Sequence, residues 1–150
     1  MTKKKDNLKT ASFAAGCFWG IEHKFKKLTG VVETEVGYSG GDKKNPTYKQ
    51  VCSGKTGHAE TVRIKYDPEI ISYKELVEFF WKIHDPTQKN RQGPDIGTQY
   101  RSVIFYHNKN QKEIAERSKK EFEKKRKIAT EVVPAKEFYK AEDYHQDYYG

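Results

Sequence analysis

Alternation of apolar and polar residues along the chain predicts several β-strands. Mainly apolar side chains occupy every second position over residues 32–38 and again over 60–66, with Thr34 and Glu60 as the exceptions, and this is the period of a strand with one buried face. A short apolar run over Lys9–Ala15 and an apolar run over 100–107 predict two more strands.

Apolar residues at helical spacing predict three helices, over residues 18–28, 73–84 and from Asn108 to about 127. Gly30 is expected to end the first helix, Ser72 and Glu75 match a capping box for the second, and Asn108 is a candidate N-cap for the third.

The resulting order is strand, helix, strand, strand, helix, strand, helix, which is the split βαβ plan. We therefore predict an α/β fold of the α+β type. It is a two-layer sandwich with a mixed, mainly antiparallel sheet in a ferredoxin-like plan, with an extra C-terminal helix and an irregular tail over 134–150. Residues 1–10 are expected to be a flexible basic leader, and residues 11–150 a single domain.

Composition narrows the class of protein. The chain has 150 residues, a formal charge of +8 and two cysteines. Two cysteines are too few for a disulfide framework, so a reducing, cytoplasmic location is expected. No apolar run approaches the roughly 18 residues of a membrane span, so no membrane partner is expected.

Cys17 is the first candidate for chemistry, because it lies where a strand turns into a helix. The amide groups at a helix N-terminus favour the thiolate, which is the nucleophilic form of cysteine. The alternative is an inert cysteine packed in a crowded turn.

Glu60 is the second candidate. Its position in the alternation places it on the apolar face of its strand, where desolvation raises the pKa of a carboxyl and lets it donate a proton near neutral pH. A carboxylate that caps an amide or pairs with a lysine is the alternative.

Further candidates carry weaker evidence. Trp19 falls off the apolar stripe of its helix, and so it either lines a cleft or packs under a loop. Tyr38 and Tyr100, at strand ends, can donate hydrogen bonds into a cleft. Cys52 is either a resolving thiol or, the favoured interpretation, a small core side chain.

Two other functions were considered. His58-Ala59-Glu60 begins like a zinc deaminase signature, but the required Pro-Cys-x-x-Cys is missing, and we predict no metal. Residues 109–127 hold nine lysines and arginines against four glutamates. This segment is interpreted as a solvated helix face, with a nucleic-acid or anionic-partner binding module as the alternative function.

Five segments, in order, resemble the peptide methionine sulfoxide reductase A family. They are GCFWG (16–20), GYSGG (37–41), VCSGKTGHAE (51–60), HDPTQKNRQGPDIGTQYRS (84–102) and AEDYHQDYY (141–149). The resemblance covers nearly the whole chain and implies an oxidoreductase of protein repair under oxidative stress, with 11–150 as its catalytic domain.

The resemblance also implies roles. Cys17 is the nucleophile that attacks the sulfur of methionine S-sulfoxide, free or in proteins, and becomes a sulfenic acid. Glu60 is the acid that protonates the sulfoxide oxygen. The substrate-binding residues implied are Phe18 and Trp19 around the methyl group, and Tyr38, Asp95 and Tyr100 near the oxygen, with His145 and Tyr148 at the rim.

No bound cofactor is implied, only an external thiol. Since no cysteine follows Cys52 in the sequence, we expect glutaredoxin with glutathione, or small thiols, to recycle Cys17 more readily than thioredoxin. Another thiol enzyme, such as a peroxidase or acyl-transferase, remains an alternative and would require a histidine beside Cys17.

Overall fold

The fold is described from a computed structural model, in which residues 7–149 are described. The strands are β1 (Lys9–Ala15), β2 (Val31–Ser39), β3 (Ala59–Tyr66), β4 (Arg91–Gln92), β5 (Asp95–Ile96), β6 (Ser102–Tyr106), β7 (Glu131–Pro134) and β8 (Tyr139–Lys140). The helices are α1 (Phe18–Lys26), α2 (Tyr48–Cys52), α3 (Tyr73–Lys82) and α4 (Lys109–Glu123), with 3-10 turns at Thr98–Tyr100 and Asp143–His145.

Six strands form one sheet in the order β7-β6-β1-β3-β2-β8. Every neighbouring pair is antiparallel except β6 and β7, which are parallel. The four central strands, β6-β1-β3-β2, have the order and directions of the split βαβ plan, so the predicted mixed and mainly antiparallel sheet is confirmed.

The helices α1, α3 and α4 cover one face of this sheet. Phe13, in the middle of β1, stacks on Phe25 of α1 and on Phe80 of α3, each with ring centroids 5.2 Å apart. Trp81 of α3 in turn stacks on Phe122 of α4 at 5.2 Å. These contacts form the continuous apolar core of the predicted two-layer sandwich.

Helix starts follow the sequence closely, whereas helix ends do not. Ser72 and Glu75 form the predicted capping box, and the Asn108 side chain accepts from the Gln111 amide. However, α4 ends at Glu123, earlier than predicted, and α3 ends at Lys82. Tyr100 lies in a 3-10 turn before β6 and not in the strand.

Several short elements were not predicted. Helix α2 begins with a second capping box, in which Thr47 and Gln50 satisfy each other's amides. The small β4–β5 hairpin and the edge strand β7 were also missed. Because each spans at most five residues, none shows a full period of hydrophobic alternation.

The C-terminal tail is more ordered than expected. Strand β8 pairs with β2, and beyond it the Gln146 side chain bonds both the amide and the carbonyl of Val36. Glu22, which is buried in α1, accepts from the Asp147 amide at 2.8 Å. The tail therefore returns across β2 and α1 and reaches the end of the sheet where Cys17 lies.

Other sequence expectations concern the termini and membranes. Most of the expected flexible leader lies outside the described residues, and Lys9 and Thr10 already belong to β1. Within residues 7–149, none of the helices has the length and apolar character that crossing a membrane requires.

Candidate active site

The candidate residues converge at one end of the sheet. Strand pairing places Tyr38, near the end of β2, directly opposite Glu60, near the start of β3. Ala15, the last residue of β1, is opposite Ser102 at the start of β6. The chain leaves β1 through Gly16, whose φ of 102° favours glycine, and then enters α1 at Cys17.

Cys17 is the N-cap residue of α1 and is half-buried. Burial raises the pKa of its thiol to about 11, against the opposing effect of the backbone amides of Trp19 and Gly20. The negative charges of Glu60 and Asp95 raise the pKa further. The prediction that the helix terminus keeps Cys17 as a thiolate is therefore wrong for the ligand-free protein, in which desolvation dominates.

Glu60 is 1% exposed, and its Oε1 accepts from the Phe18 amide at 3.1 Å. Its Oε2 has no hydrogen-bond partner among the described residues. Burial raises the pKa of this carboxyl to about 7, partly opposed by the Phe18 amide and reinforced by Asp95. The expected rise in the pKa of Glu60 is confirmed. The alternative role, in which this carboxyl caps a backbone amide, is also present in its bond to Phe18, because one oxygen can accept that bond while burial raises the pKa.

Aromatic rings surround the Phe18–Trp19 pair. Trp19 is partly exposed, its indole stacks on Tyr148 with centroids 4.0 Å apart, and its Nε1 donates to Nδ1 of His145 at 2.9 Å. Phe18 is fully buried and lies 5.4 Å from the His145 ring. Trp19 thus forms part of an aromatic wall with the expected rim residues, while His145 is buried behind that wall and not at its rim.

Tyr38 is fully buried, and its hydroxyl donates to Oε1 of Glu142 at 2.8 Å. Burial and this carboxylate raise the pKa of Tyr38, so it remains a phenol. The same carboxylate accepts from the Tyr48 amide through its Oε2 at 3.0 Å. In the ligand-free protein the Tyr38 proton is therefore directed to Glu142 and not into the cleft.

Tyr100 and Asp95 come from the segment between α3 and β6. Burial raises the pKa of Tyr100, and the charges of Glu60, Cys52, Asp95 and Cys17 raise it further. This mutual influence shows that the sequence-predicted groups share one electrostatic neighbourhood. The structure thus brings all of the predicted catalytic and oxygen-binding residues together.

Three further residues belong to this neighbourhood. Tyr48 stacks on Phe18 and Trp19. Burial and the neighbouring Cys52 thiol raise the pKa of Tyr48, and Cys52 is exposed. The interpretation of Cys52 as a core side chain is therefore wrong. Tyr48 had no sequence pattern to reveal it because α2 was not predicted, whereas Glu142 belongs to the last of the five motifs.

Neither a metal centre nor a Cys–His pair is found in the part of the chain that the structure describes. No group of three or more His, Cys, Asp or Glu residues is placed to hold an ion. His58 bonds the Gly41 amide and the Lys43 carbonyl, and His145 bonds Trp19, so neither ring activates the sulfur.

Comparison with known proteins agrees with this geometry. A family model described as peptide methionine sulfoxide reductase matches residues 9–150. The peptide methionine sulfoxide reductase MsrA of Methanosarcina acetivorans is 62% identical over 148 residues, covering 96% of this chain and 79% of that protein. The peptide methionine sulfoxide reductase of Fragaria ananassa is 54% identical over 142 residues, 92% of this chain and 74% of its own length.

Solved structures give the same result. Reduced Mxr1 from Saccharomyces cerevisiae has a TM-score of 0.91 at 41% identity and covers 98% of this chain and 87% of its own. Methionine sulfoxide reductase A of Corynebacterium diphtheriae has a TM-score of 0.86 at 42% identity and covers 95% of this chain and 74% of its own. Mxr1 from Saccharomyces cerevisiae in complex with Trx2 has a TM-score of 0.69 at 30% identity and covers 99% of this chain and 89% of its own. The chain belongs to the peptide methionine sulfoxide reductase family and is an enzyme that reduces methionine sulfoxide at the expense of thiols.

Proposed function

We propose that Cys17 and Glu60 reduce methionine S-sulfoxide as nucleophile and general acid. The observation that carries this proposal is the placement of Glu60, which is a buried carboxyl with a pKa of about 7 held by the amide next to Cys17. One of its oxygens, Oε2, has no partner in the described chain and is free to donate a proton to a substrate.

The proposed step conserves atoms and protons. Protonated Glu60 donates to the sulfoxide oxygen, which makes the substrate sulfur electrophilic, and the Cys17 sulfur attacks it. The Glu60 carboxylate then accepts the thiol proton of Cys17. The oxygen leaves with Cys17 as a sulfenic acid and the substrate leaves as methionine, so one thiol and one sulfoxide give one sulfenic acid and one thioether.

A proton shuttle of this kind agrees with the high pKa of Cys17. A thiol whose pKa is near 11 is almost fully protonated at pH 7, so the base that removes its proton must lie in the site. Glu60 becomes that base once it has given its own proton to the sulfoxide oxygen. The raised pKa values of the two groups therefore support one sequence of proton transfers.

The substrate pocket follows from the neighbouring side chains. We assign the Phe18–Trp19 wall to the methyl group of the substrate, and Tyr100 and Asp95 to polar contacts near its oxygen. Tyr38 joins those contacts only if its hydroxyl leaves Glu142 when substrate enters. Free methionine sulfoxide and oxidised polypeptides both present the group that this pocket receives.

For recycling, we propose an external thiol. One thiol converts the Cys17 sulfenic acid to a mixed disulfide with release of water, and a second thiol releases Cys17 and forms the oxidised reductant. The complex of yeast Mxr1 with Trx2 supports a protein thiol as the reductant. Glutaredoxin with glutathione is our finer proposal, and two free cysteines fit a reducing compartment such as the cytoplasm.

The decisive experiment measures methionine released from the separated S and R sulfoxides with dithiothreitol. We expect turnover of the S form alone, no turnover by Cys17→Ser, and near-parental turnover by Cys52→Ser. After one equivalent of substrate without thiol, mass spectrometry should find one added oxygen on Cys17. A Cys17–Cys52 disulfide in that sample contradicts the external-thiol route, and turnover by Cys17→Ser contradicts the nucleophile.

A further inference from the structure

A groove of about 1020 Å³ opens at the end of the sheet, between the loop after α2, the segment before β4 and the entry to β7. Its lining includes Lys55, Lys89, Arg101 and Lys127, and Glu131 is the only acidic residue among the described residues that line it. We propose that this groove binds acidic residues flanking methionine sulfoxide in substrate polypeptides. This inference rests on the proposed function and adds a substrate preference to it.

The groove lies at the same end of the sheet as the reaction site, since Ser102 in its lining pairs with Ala15, two residues before Cys17. Thr98, on its wall, lies in the same 3-10 turn as Tyr100, and Arg101 directly follows that tyrosine. On the opposite wall, Gly57 precedes Glu60 by three residues. We therefore take the groove to be within reach of the residues that flank a sulfoxide bound between Cys17 and Tyr100.

The positive charge of the groove is largely uncommitted. Lys55, Lys89 and Lys127 are exposed, and none forms an ion pair with a residue that the structure describes. Arg101, by contrast, is held by the carbonyls of Gly57 and Thr98 and by Glu131. Three exposed lysines around one hydrogen-bonded arginine complement the negative charge of carboxylates, and lysine imposes little geometric restriction on the peptide.

Size distinguishes a polypeptide from a free amino acid as the occupant. Small-molecule pockets range over about 300 to 1000 Å³, so this groove accommodates several residues. Buried Ser102 and Ile128 are among its lining residues, and Ala129 is fixed by donating its amide to the Pro86 carbonyl at 2.7 Å. The surface is therefore preformed, with exposed lysines in its lining.

The test compares short blocked peptides that carry methionine S-sulfoxide between aspartates, asparagines or lysines. Dithiothreitol serves as the reductant, so that no reductant protein competes for the groove. Each kcat/KM is divided by the value for free methionine sulfoxide measured with the same protein. The variants are a groove triple, Lys55→Glu, Lys89→Glu and Lys127→Glu, and a control triple of equal charge, Lys27→Glu, Lys120→Glu and Lys125→Glu.

We expect the parent to prefer the aspartate peptide over the lysine peptide by about tenfold at low ionic strength, with the preference shrinking as salt is raised. The groove triple should lose or reverse the preference for the aspartate peptide, and the control triple should keep most of that preference. Equal use of all peptides by the parent, or equal loss in both triples, overturns the groove proposal. Absence of turnover with free methionine sulfoxide in the parent instead contradicts the proposed function. Single Lys89→Glu is the fallback if the groove triple does not fold.

Discussion

The backbone amide of Phe18 donates to Oε1 of Glu60 across 3.1 Å, so the buried acid is fixed by the residue that follows Cys17. This bond occupies one carboxyl oxygen and leaves the other directed to no protein group within residues 7–149. A single neutral donor is too weak to offset the desolvation of a carboxylate, and the pKa of Glu60 therefore lies near 7. The position and the protonation state of the acid have one structural origin.

Replacement of Glu60 by glutamine tests the acid role. Glutamine can still accept from the Phe18 amide but has no acidic proton, so we expect kcat/KM to fall by about 10² to 10⁴. The parental kcat/KM should decline as the pH rises above about 7, where Glu60 ionises, and the residual activity of Glu60→Gln should lack that decline. Rate profiles from pH 5 to 9 measure both effects, with exposed Glu116→Gln as the control. An identical decline in Glu60→Gln would assign the ionisation to another group.

The same substitution should stabilise the protein at alkaline pH. The folded-state pKa of Glu60 is raised from 4.5 to about 7, so the folded protein retains a proton that the unfolded chain releases. Parental stability therefore falls as the pH rises through this window. We expect Glu60→Gln to exceed the parent at pH 8 by about 2 to 3 kcal/mol in the free energy of unfolding. The difference should be close to zero at pH 4, and urea titrations at both values measure it. An equal gain at both pH values would indicate a packing effect.

Titration of the Cys17 thiol provides a third test, in a Cys52→Ser background where only Cys17 reacts. Burial raises its pKa to about 11, and the ionised carboxyl of Glu60 contributes more to this rise than that of Asp95. The pH dependence of alkylation by iodoacetamide should therefore shift to lower pH in Glu60→Gln, and less so in Asp95→Asn. Glu116→Gln should leave it unchanged. A measured pKa of the parental Cys17 thiol below the ordinary cysteine value would contradict this expectation and support the thiolate predicted from the sequence.

The sequence predicts the central sheet and singles out the proposed catalytic pair, Cys17 and Glu60, because both inferences depend on local sequence patterns. Alternation over residues 60–66 assigns each side chain to a face, and the same parity that buries Val62 and Ile64 also buries Glu60. The strand-to-helix turn at Cys17 follows equally from local sequence. Neither inference requires knowledge of which elements pack together.

The rest depends on contacts between distant parts of the chain. Glu142 bonds Tyr38 across more than one hundred positions, and no local pattern indicates that pairing. The thiol pKa was predicted with the wrong sign because the helix amides are visible in the sequence, whereas the burial that outweighs them depends on the packed structure. Cys52 was assigned to the core for a related reason, since the residues exposed on α2 depend on how it packs.

The bond from Trp19 Nε1 to His145 Nδ1 leads to the fourth prediction. At 2.9 Å, this bond requires an unprotonated Nδ1, and burial lowers the pKa of His145, partly opposed by Glu142. We therefore interpret His145 as a positioning residue that fixes the indole wall of the substrate pocket. His145→Phe removes the acceptor, and we expect KM for methionine sulfoxide to rise about threefold to tenfold with little change in kcat.

A double-mutant cycle separates this positioning from general damage to the fold. In a Trp19→Phe background no indole N–H exists, so His145→Phe should have little further effect on KM. His145→Asn places an amide oxygen near the position of Nδ1 and should restore much of the parental KM. If His145→Phe raises KM equally with and without Trp19, the histidine acts through the packing of its ring against Phe18 and Tyr48, and not through the indole hydrogen bond.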